Sequence, residues 1–143
     1  MRRYIYKTLH PHIFQGTHTR RPYFEGWYFK LVSADEQTRY ALIPGMFRGQ
    51  DATTDHAFVQ VLDGMSGRAT YHQYPIDAFR ADAKQFHVLV GDNVFSDEYI
   101  CLNIANNQLS LRGEVRFSGG RGWDVTPIQP GVMGWYMWLP IME

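Results

Sequence analysis

The chain has 143 residues, 45% of them hydrophobic and 15% aromatic, with 14 basic and 14 acidic side chains and a formal net charge of zero. That length suits one domain with a real core. The balanced charge leaves no electrostatic footprint for nucleic acid, and no apolar run approaches the ~20 residues of a membrane-spanning helix.

The first 22 residues read as an N-terminal arm, with His10-Pro11-His12 held extended by its proline and Gln15-Gly16-Thr17 as a turn. His10 and His12 can face one way on an extended segment, but no third ligand follows in sequence, so no metal site is assigned. Residues 23–143 read as one β-domain. Its first stretch, Pro22 to Ser33, places Glu25, Trp27, Phe29 and Leu31 on one strand face and Phe24, Gly26, Tyr28, Lys30 and Val32 on the other. Strand patterns then follow at Arg39–Ile43, stopped by Pro44-Gly45, and at His56–Leu62. Asp63-Gly64 with Ser66-Gly67 makes a hairpin turn, and Arg68–Tyr74 returns to Pro75. Residues 76–84 suggest one helical turn at Asp77-Ala78-Phe79.

Further strands are expected at Phe86–Val90, Glu98–Ile104 and Leu109–Phe117, with turns at Gly91-Asp92-Asn93 and Asn106-Asn107. The last segment, Met133–Leu139, reads as an aromatic strand. Nowhere do apolar residues keep helical spacing for three turns. The pattern predicts an all-β protein: an antiparallel barrel or half-barrel with at most one or two short helices. The single cysteine, Cys101, excludes an intrachain disulfide and a cysteine metal cluster. With no apolar leader in the first seven residues, a cytoplasmic protein is expected. The chain stops just after its last aromatic run, which suggests the N-terminal half of a longer architecture. An uncovered sheet edge there would favour association into a homo-oligomer.

The candidate chemistry starts at Glu25. A carboxylate in register with Trp27 and Phe29 is costly to bury unpaired. It calls for an arginine or lysine partner, or for a raised pKa and a role as a catalytic acid. His56, Phe58 and Gln60 share a face of one strand, and His72 shares a face with Thr70 and Tyr74. These polar groups suit either a ligand hydroxyl or satisfied positions beside neighbouring backbone. Trp135 and Trp138 fall on opposite faces of the terminal strand, so at most one of them lines a cavity.

Phe24-Glu25-Gly26-Trp27-Tyr28-Phe29-Lys30 resembles the signature of the tocopherol cyclase family. Phe14-Gln15-Gly16 precedes it in the family's order. Ala41–Gly45, His56–Gly64, Tyr74-Pro75-Ile76, Gly91–Ser96 and Gly131–Tyr136 follow in that order. The resemblance covers nearly the whole chain and about the N-terminal half of the family's length. It implies a lipocalin-like β-barrel that binds a prenylated or isoprenoid small molecule. It also implies acid-promoted ring closure of a prenylated quinol, with no metal, nucleotide or redox cofactor. From the residues themselves, Glu25 is the candidate acid, and Trp27, Phe29, His56, Phe58, Gln60, His72 and Trp135 are the candidate ligand contacts. A non-catalytic binder of an apolar ligand is the alternative, and it needs only a roomy apolar interior.

Overall fold

The computed structural model describes residues 2–16, 21–105, 110–131 and 134–139. The fold is all-β. Strands β1 (Tyr23–Gly26), β2 (Phe29–Val32), β3 (Arg39–Arg48), β4 (His56–Asp63) and β5 (Ala69–Pro75) form one antiparallel sheet. Strands β6 (Phe79–Ala81), β7 (His87–Val90), β8 (Asn93–Ser96), β9 (Tyr99–Ala105) and β10 (Ser110–Arg116) form a second, a simple meander. Among the described residues no strand pairing joins the two sheets, so the sandwich is a half-barrel rather than a closed barrel. Among the described residues the helical content is one α-helix, α1 (Arg2–Thr8), and three 3₁₀ turns, at Ala52–Thr54, Ile76–Ala78 and Gly134–Trp138. No helix among the described residues is long and apolar enough to cross a membrane.

Alternation decides which side chains meet between the sheets. Leu42 on β3, Ala57, Val59 and Val61 on β4, Val88 and Val90 on β7, Phe95 on β8, and Ile100, Leu102 and Ile104 on β9 make one continuous buried cluster. Trp27, Phe29 and Leu31 pack against it from the first sheet's edge. Glu25 lies opposite Met46, and Phe29 opposite Leu42, so the expected grouping of Glu25, Trp27, Phe29 and Leu31 on one face holds, and that face is the inner one.

Four expectations from the sequence are corrected. Pro44-Gly45 does not end the third strand, which runs on to Arg48. Instead the proline interrupts its neighbour. Gly26 lies opposite Gly45 and Phe29 opposite Leu42, so β1 and β2 keep one register and are one edge strand broken at Trp27-Tyr28. The Trp27 amide donates to the Pro44 carbonyl at 3.0 Å. The return bond is missing because proline has no N–H. In an antiparallel pair one residue's N–H and C=O face the same neighbour, so Pro44's deficit falls on the edge side and the ladder to β4 is spared. Gly45 is required beside it: a Cβ there would lie 2.5 Å from the Glu25 carbonyl oxygen and from the Phe58 ring.

The second correction concerns β6 and β8, short strands read as a helical turn and as part of a turn-to-strand gap. The 3₁₀ turn at Ile76–Ala78 sits just before the expected helical turn, and Phe79 already belongs to β6. Third, the N-terminal arm is not simply extended. It begins with α1, and Pro11 sits inside a turn in which the Ile13 amide donates to the His10 carbonyl at 3.3 Å. Fourth, the described part of the terminal aromatic segment is a 3₁₀ turn rather than a strand. Gly134, at φ +59°, bends the chain into it. The Trp138 carbonyl accepts from the Tyr4 hydroxyl at 2.5 Å, and its indole donates to the Pro127 carbonyl at 2.7 Å. These bonds fold the segment back across α1, so it does not form the open sheet edge expected of it. The expected turn at Asn106-Asn107 lies outside the described residues.

Candidate functional site: a latched end and an open mouth

The cleft between the sheets has two unlike ends, and the Tyr23–Leu31 face runs from one to the other. At the first end the arm is bonded down. Glu25 Oε1 accepts from the Gln15 amide at 2.8 Å, and Oε2 accepts from the Gly16 amide at 2.8 Å and from the Tyr23 hydroxyl at 2.5 Å. The Trp27 indole donates to the His12 carbonyl at 3.0 Å. Lys7 donates to the Gln15 carbonyl, and the Gln15 side-chain amide donates to the His10 and Ile13 carbonyls at 2.9 and 3.0 Å. Phe14 then fills the gap between the sheets, its ring centre 6.4 Å from Trp27 and 5.5 Å from Phe79 on β6. Arg21 fixes the arm's other side through a two-point pair with Asp55, at 2.6 and 2.5 Å.

Burial pushes the Glu25 pKa up, and it outweighs the opposing pull of the Tyr23 hydroxyl, the two amides and the nearby Lys7 charge. Two requirements compete here. Two backbone N–H groups want an acceptor on each oxygen, and the dry surroundings favour the protonated acid. Tyr23 can relieve the conflict, because a hydroxyl can accept as well as donate. The sequence anticipated either an ion pair or a proton-holding acid at this position. The described geometry is that of a half-buried acceptor latching the arm, with a raised pKa.

The second end is open. Leu31, Tyr40, Leu42, Leu102, Leu111 and Phe117 wall a cavity of about 570 Å³ between the β2–β3 side and β9–β10. Its rim is polar, with Lys30, Ser33, Thr38, Arg112 and Glu114. Phe29 lies beneath it, its ring parallel to Phe117 at 6.5 Å and also packed on Phe86 and Phe95 at 5.7 Å each. An apolar body with polar groups at its margin is the usual build of a small-molecule site.

The residues singled out in the sequence separate into three places. Glu25, Trp27, Phe29 and His72 face inward, since His72 lies opposite inward-facing Val59. His72 is buried with Nε2 2.9 Å from the Thr70 hydroxyl, and its burial lowers its pKa. His56, Phe58 and Gln60 face outward, on the far side of the sheet from the cleft. There Phe58 is covered by Phe24 and Tyr71, in near-parallel stacks at 5.7 and 5.0 Å. His56 Nδ1 donates to the Thr54 carbonyl at 2.8 Å, which leaves Nε2 to accept from the Tyr71 hydroxyl at 2.7 Å. Trp135 is exposed and stacked on Tyr136 at 4.1 Å. None of the eight lines the open mouth.

Sequence reasoning missed Asn93. Read as a turn residue, it is fully buried at the start of β8. Its amide donates to the Val90 carbonyl at 2.9 Å and to the Tyr74 hydroxyl at 3.1 Å, and its Oδ1 accepts from the Asn103 amide at 2.9 Å. It thereby ties β7 and β9 to β5 of the facing sheet. Gly91 beside it, at φ +58°, leaves room for the Tyr74 ring, which a Cβ would approach to 2.8 Å. It also missed Leu111 and Phe117 as cavity walls, although their alternation in the sequence was the cleanest of any strand.

Set against family models, curated proteins and solved structures, the chain matches none.

Proposed function

We propose that this protein binds an apolar, ring-bearing small molecule in the open mouth between its sheets. The observation that carries the reading is the mouth itself: a space of about 570 Å³ lined among the described residues by leucine, phenylalanine and Tyr40 together with Lys30, Ser33, Thr38, Arg112 and Glu114. Ring and chain burial there is driven by the hydrophobic effect, and rim groups such as Ser33, Thr38 and Arg112 are chemically suited to a ligand hydroxyl. The resemblance to the tocopherol cyclase family supports a prenylated quinol as the ligand class. Titration with prenylquinols tests it: saturable binding is expected in the parent protein, with at least a tenfold loss in Leu111→Arg. A Leu111→Arg variant that stays folded and binds as well as the parent would remove the mouth as the site.

A second reading keeps the cyclase activity, with Glu25 protonating the prenyl double bond. The burial that raises the Glu25 pKa favours it. Against it stand the three hydrogen bonds that hold the carboxylate to the arm and to Tyr23. Chromanol formation from a prenylated quinol, present in the parent and absent in Glu25→Gln, is the outcome that would favour the cyclase over the binder.

A further inference from the structure

Strand β10 is the outer strand of the second sheet and, among the described residues, pairs only with β9. Its register runs without a bulge from Ser110 opposite Ala105 to Arg116 opposite Tyr99. The Phe117 amide continues it, donating to the Glu98 carbonyl at 2.8 Å. In an antiparallel pair alternate residues turn both N–H and C=O to the same neighbour. Val115, Gly113 and Leu111 therefore bond to β9, and Ser110, Arg112, Glu114 and Arg116 turn their backbone groups to the open side. Among the described residues nothing bonds to those outward groups. All of β10 is exposed except Leu111, which is half-buried.

The strand reads Ser-Leu-Arg-Gly-Glu-Val-Arg and is self-complementary about its central Gly113. Laid antiparallel on a second copy about that residue, Arg112 meets Glu114, Ser110 meets Arg116, and Leu111 meets Val115. The first two pairs join residues whose backbone groups point outward, so each pair can exchange both ladder bonds. Opposite charges then face each other across the new ladder. The apolar pair falls at the non-hydrogen-bonded positions, where side chains come closest. A slip of one residue sets outward backbone groups against inward ones. A slip of two sets Arg112 against Arg112, or Glu114 against Glu114 and Arg112 against Arg116, and like charges directly opposite repel. Glu114 bonds Arg116 of its own strand through Oε1 at 2.6 Å, and its second oxygen can accept from a guanidinium across the ladder. The other sheet edges lack this pattern. β6 has three residues, β5 carries no carboxylate, guanidinium or ammonium, and the β1–β2 edge is broken at Trp27-Tyr28.

We propose that β10 is a self-association edge: two copies of this chain pair through it, antiparallel about Gly113, into a two-fold dimer with one continuous sheet. An edge strand left open presents a row of unpaired N–H and C=O groups to any other chain. Here the alternating charges admit one register and one partner, and a two-fold pairing closes at the dimer, so it does not propagate.

Sedimentation of the ligand-free protein tests this, and its outcome does not depend on what the open mouth binds. The parent is expected to sediment as a dimer. Arg112→Glu sets carboxylate against carboxylate across the ladder, and Glu114→Arg sets guanidinium against guanidinium. Both positions are exposed, so the fold is kept while each variant alone should dimerise at least tenfold more weakly. Mixed in equal amounts, the two variants regain opposite charges at both pairs. The mixture should form a one-to-one dimer at least tenfold tighter than either variant forms with itself. A parent that stays monomeric, a dimer that survives either reversal unweakened, or a mixture no tighter than its components would each overturn the assignment.

Discussion

The two ends of the intersheet cleft are built from one strand face yet behave oppositely. At the latched end, inward positions carry Tyr23, Glu25 and Trp27, each with a polar atom that reaches out to a partner. Glu25 and Trp27 bond to the arm, and Tyr23 bonds to Glu25. At the open end the same face carries Phe29 and Leu31, which offer no hydrogen bond and so capture no backbone. A returning segment of chain brings unpaired N–H and C=O groups, and those must be satisfied to be buried. Polar atoms on an otherwise apolar face therefore select where the arm can seal the cleft. The purely apolar stretch offers no such anchor.

The largest effect expected from breaking this contrast is at Glu25. An amide cannot serve both the Gln15 and Gly16 N–H groups, because whichever way it is turned an NH₂ faces a backbone donor. Glu25→Gln is expected to cost about 2.5 kcal/mol, within the range for a donor left unsatisfied in a half-buried site, read by urea denaturation. It should also raise protease cleavage within the arm. A loss under about 0.5 kcal/mol, the level of an ordinary surface change, would mean that the latch holds nothing. Next comes the plug. Phe14→Ala leaves Trp27 and Phe79 facing a gap and should cost about 2 kcal/mol, below the range for a fully buried phenylalanine because Phe14 is half-buried. Tryptophan emission shifted to the red, from Trp27 meeting water, is the accompanying signal.

The pH dependence sharpens the comparison further. The Glu25 pKa is raised on folding, so between its ordinary value near 4.5 and its folded value the native state holds more protons than the unfolded one. Stability from this group therefore falls as pH rises through that window and is greatest below it. The turn carboxylates Asp35, Asp63 and Asp82 run the other way, their pKa values lowered chiefly by a hydroxyl or a backbone amide. Their contribution is present above about their ordinary value of 3.8 and is lost as pH falls through the lowered one. The difference in Tm between the parent and Glu25→Gln should accordingly grow as pH falls through the raised pKa towards its ordinary value near 4.5. A difference that shrinks as pH falls would contradict the raised pKa.

The smallest effect on stability belongs to the open end. Leu111→Ser, at a half-buried edge position, should cost about 1 kcal/mol while removing saturable binding of a prenylquinol. Lost binding with little lost stability is the signature of a wall that serves a ligand more than the fold.

The sequence by itself determined the periodicities. Strict alternation put Glu25, Trp27, Phe29 and Leu31 together. Asp63 and Gly67 made the hairpin turn, where the Asp63 carboxylate accepts from the Met65 amide and the Ser66 hydroxyl and Gly67 takes φ +70°. These are local effects, fixed within a few residues of chain. Which face became the interior was not local. On β4 one face offered Ala57, Val59 and Val61, and the other offered His56, Phe58, Gln60 and Leu62. Both faces are apolar enough to bury, and the aromatic one looked the better site. The small face went inward, against Val88, Val90, Phe95 and Ile100 of the facing sheet, and Phe58 found its cover on the outside, between Phe24 and Tyr71. The same applies to Pro44, whose missing N–H matters only toward an edge strand, and to Asn93, whose turn-forming amide became a buried link once β5 and β9 were brought to it. Local chemistry fixes what a residue can do, and packing between distant strands fixes which of those things it does.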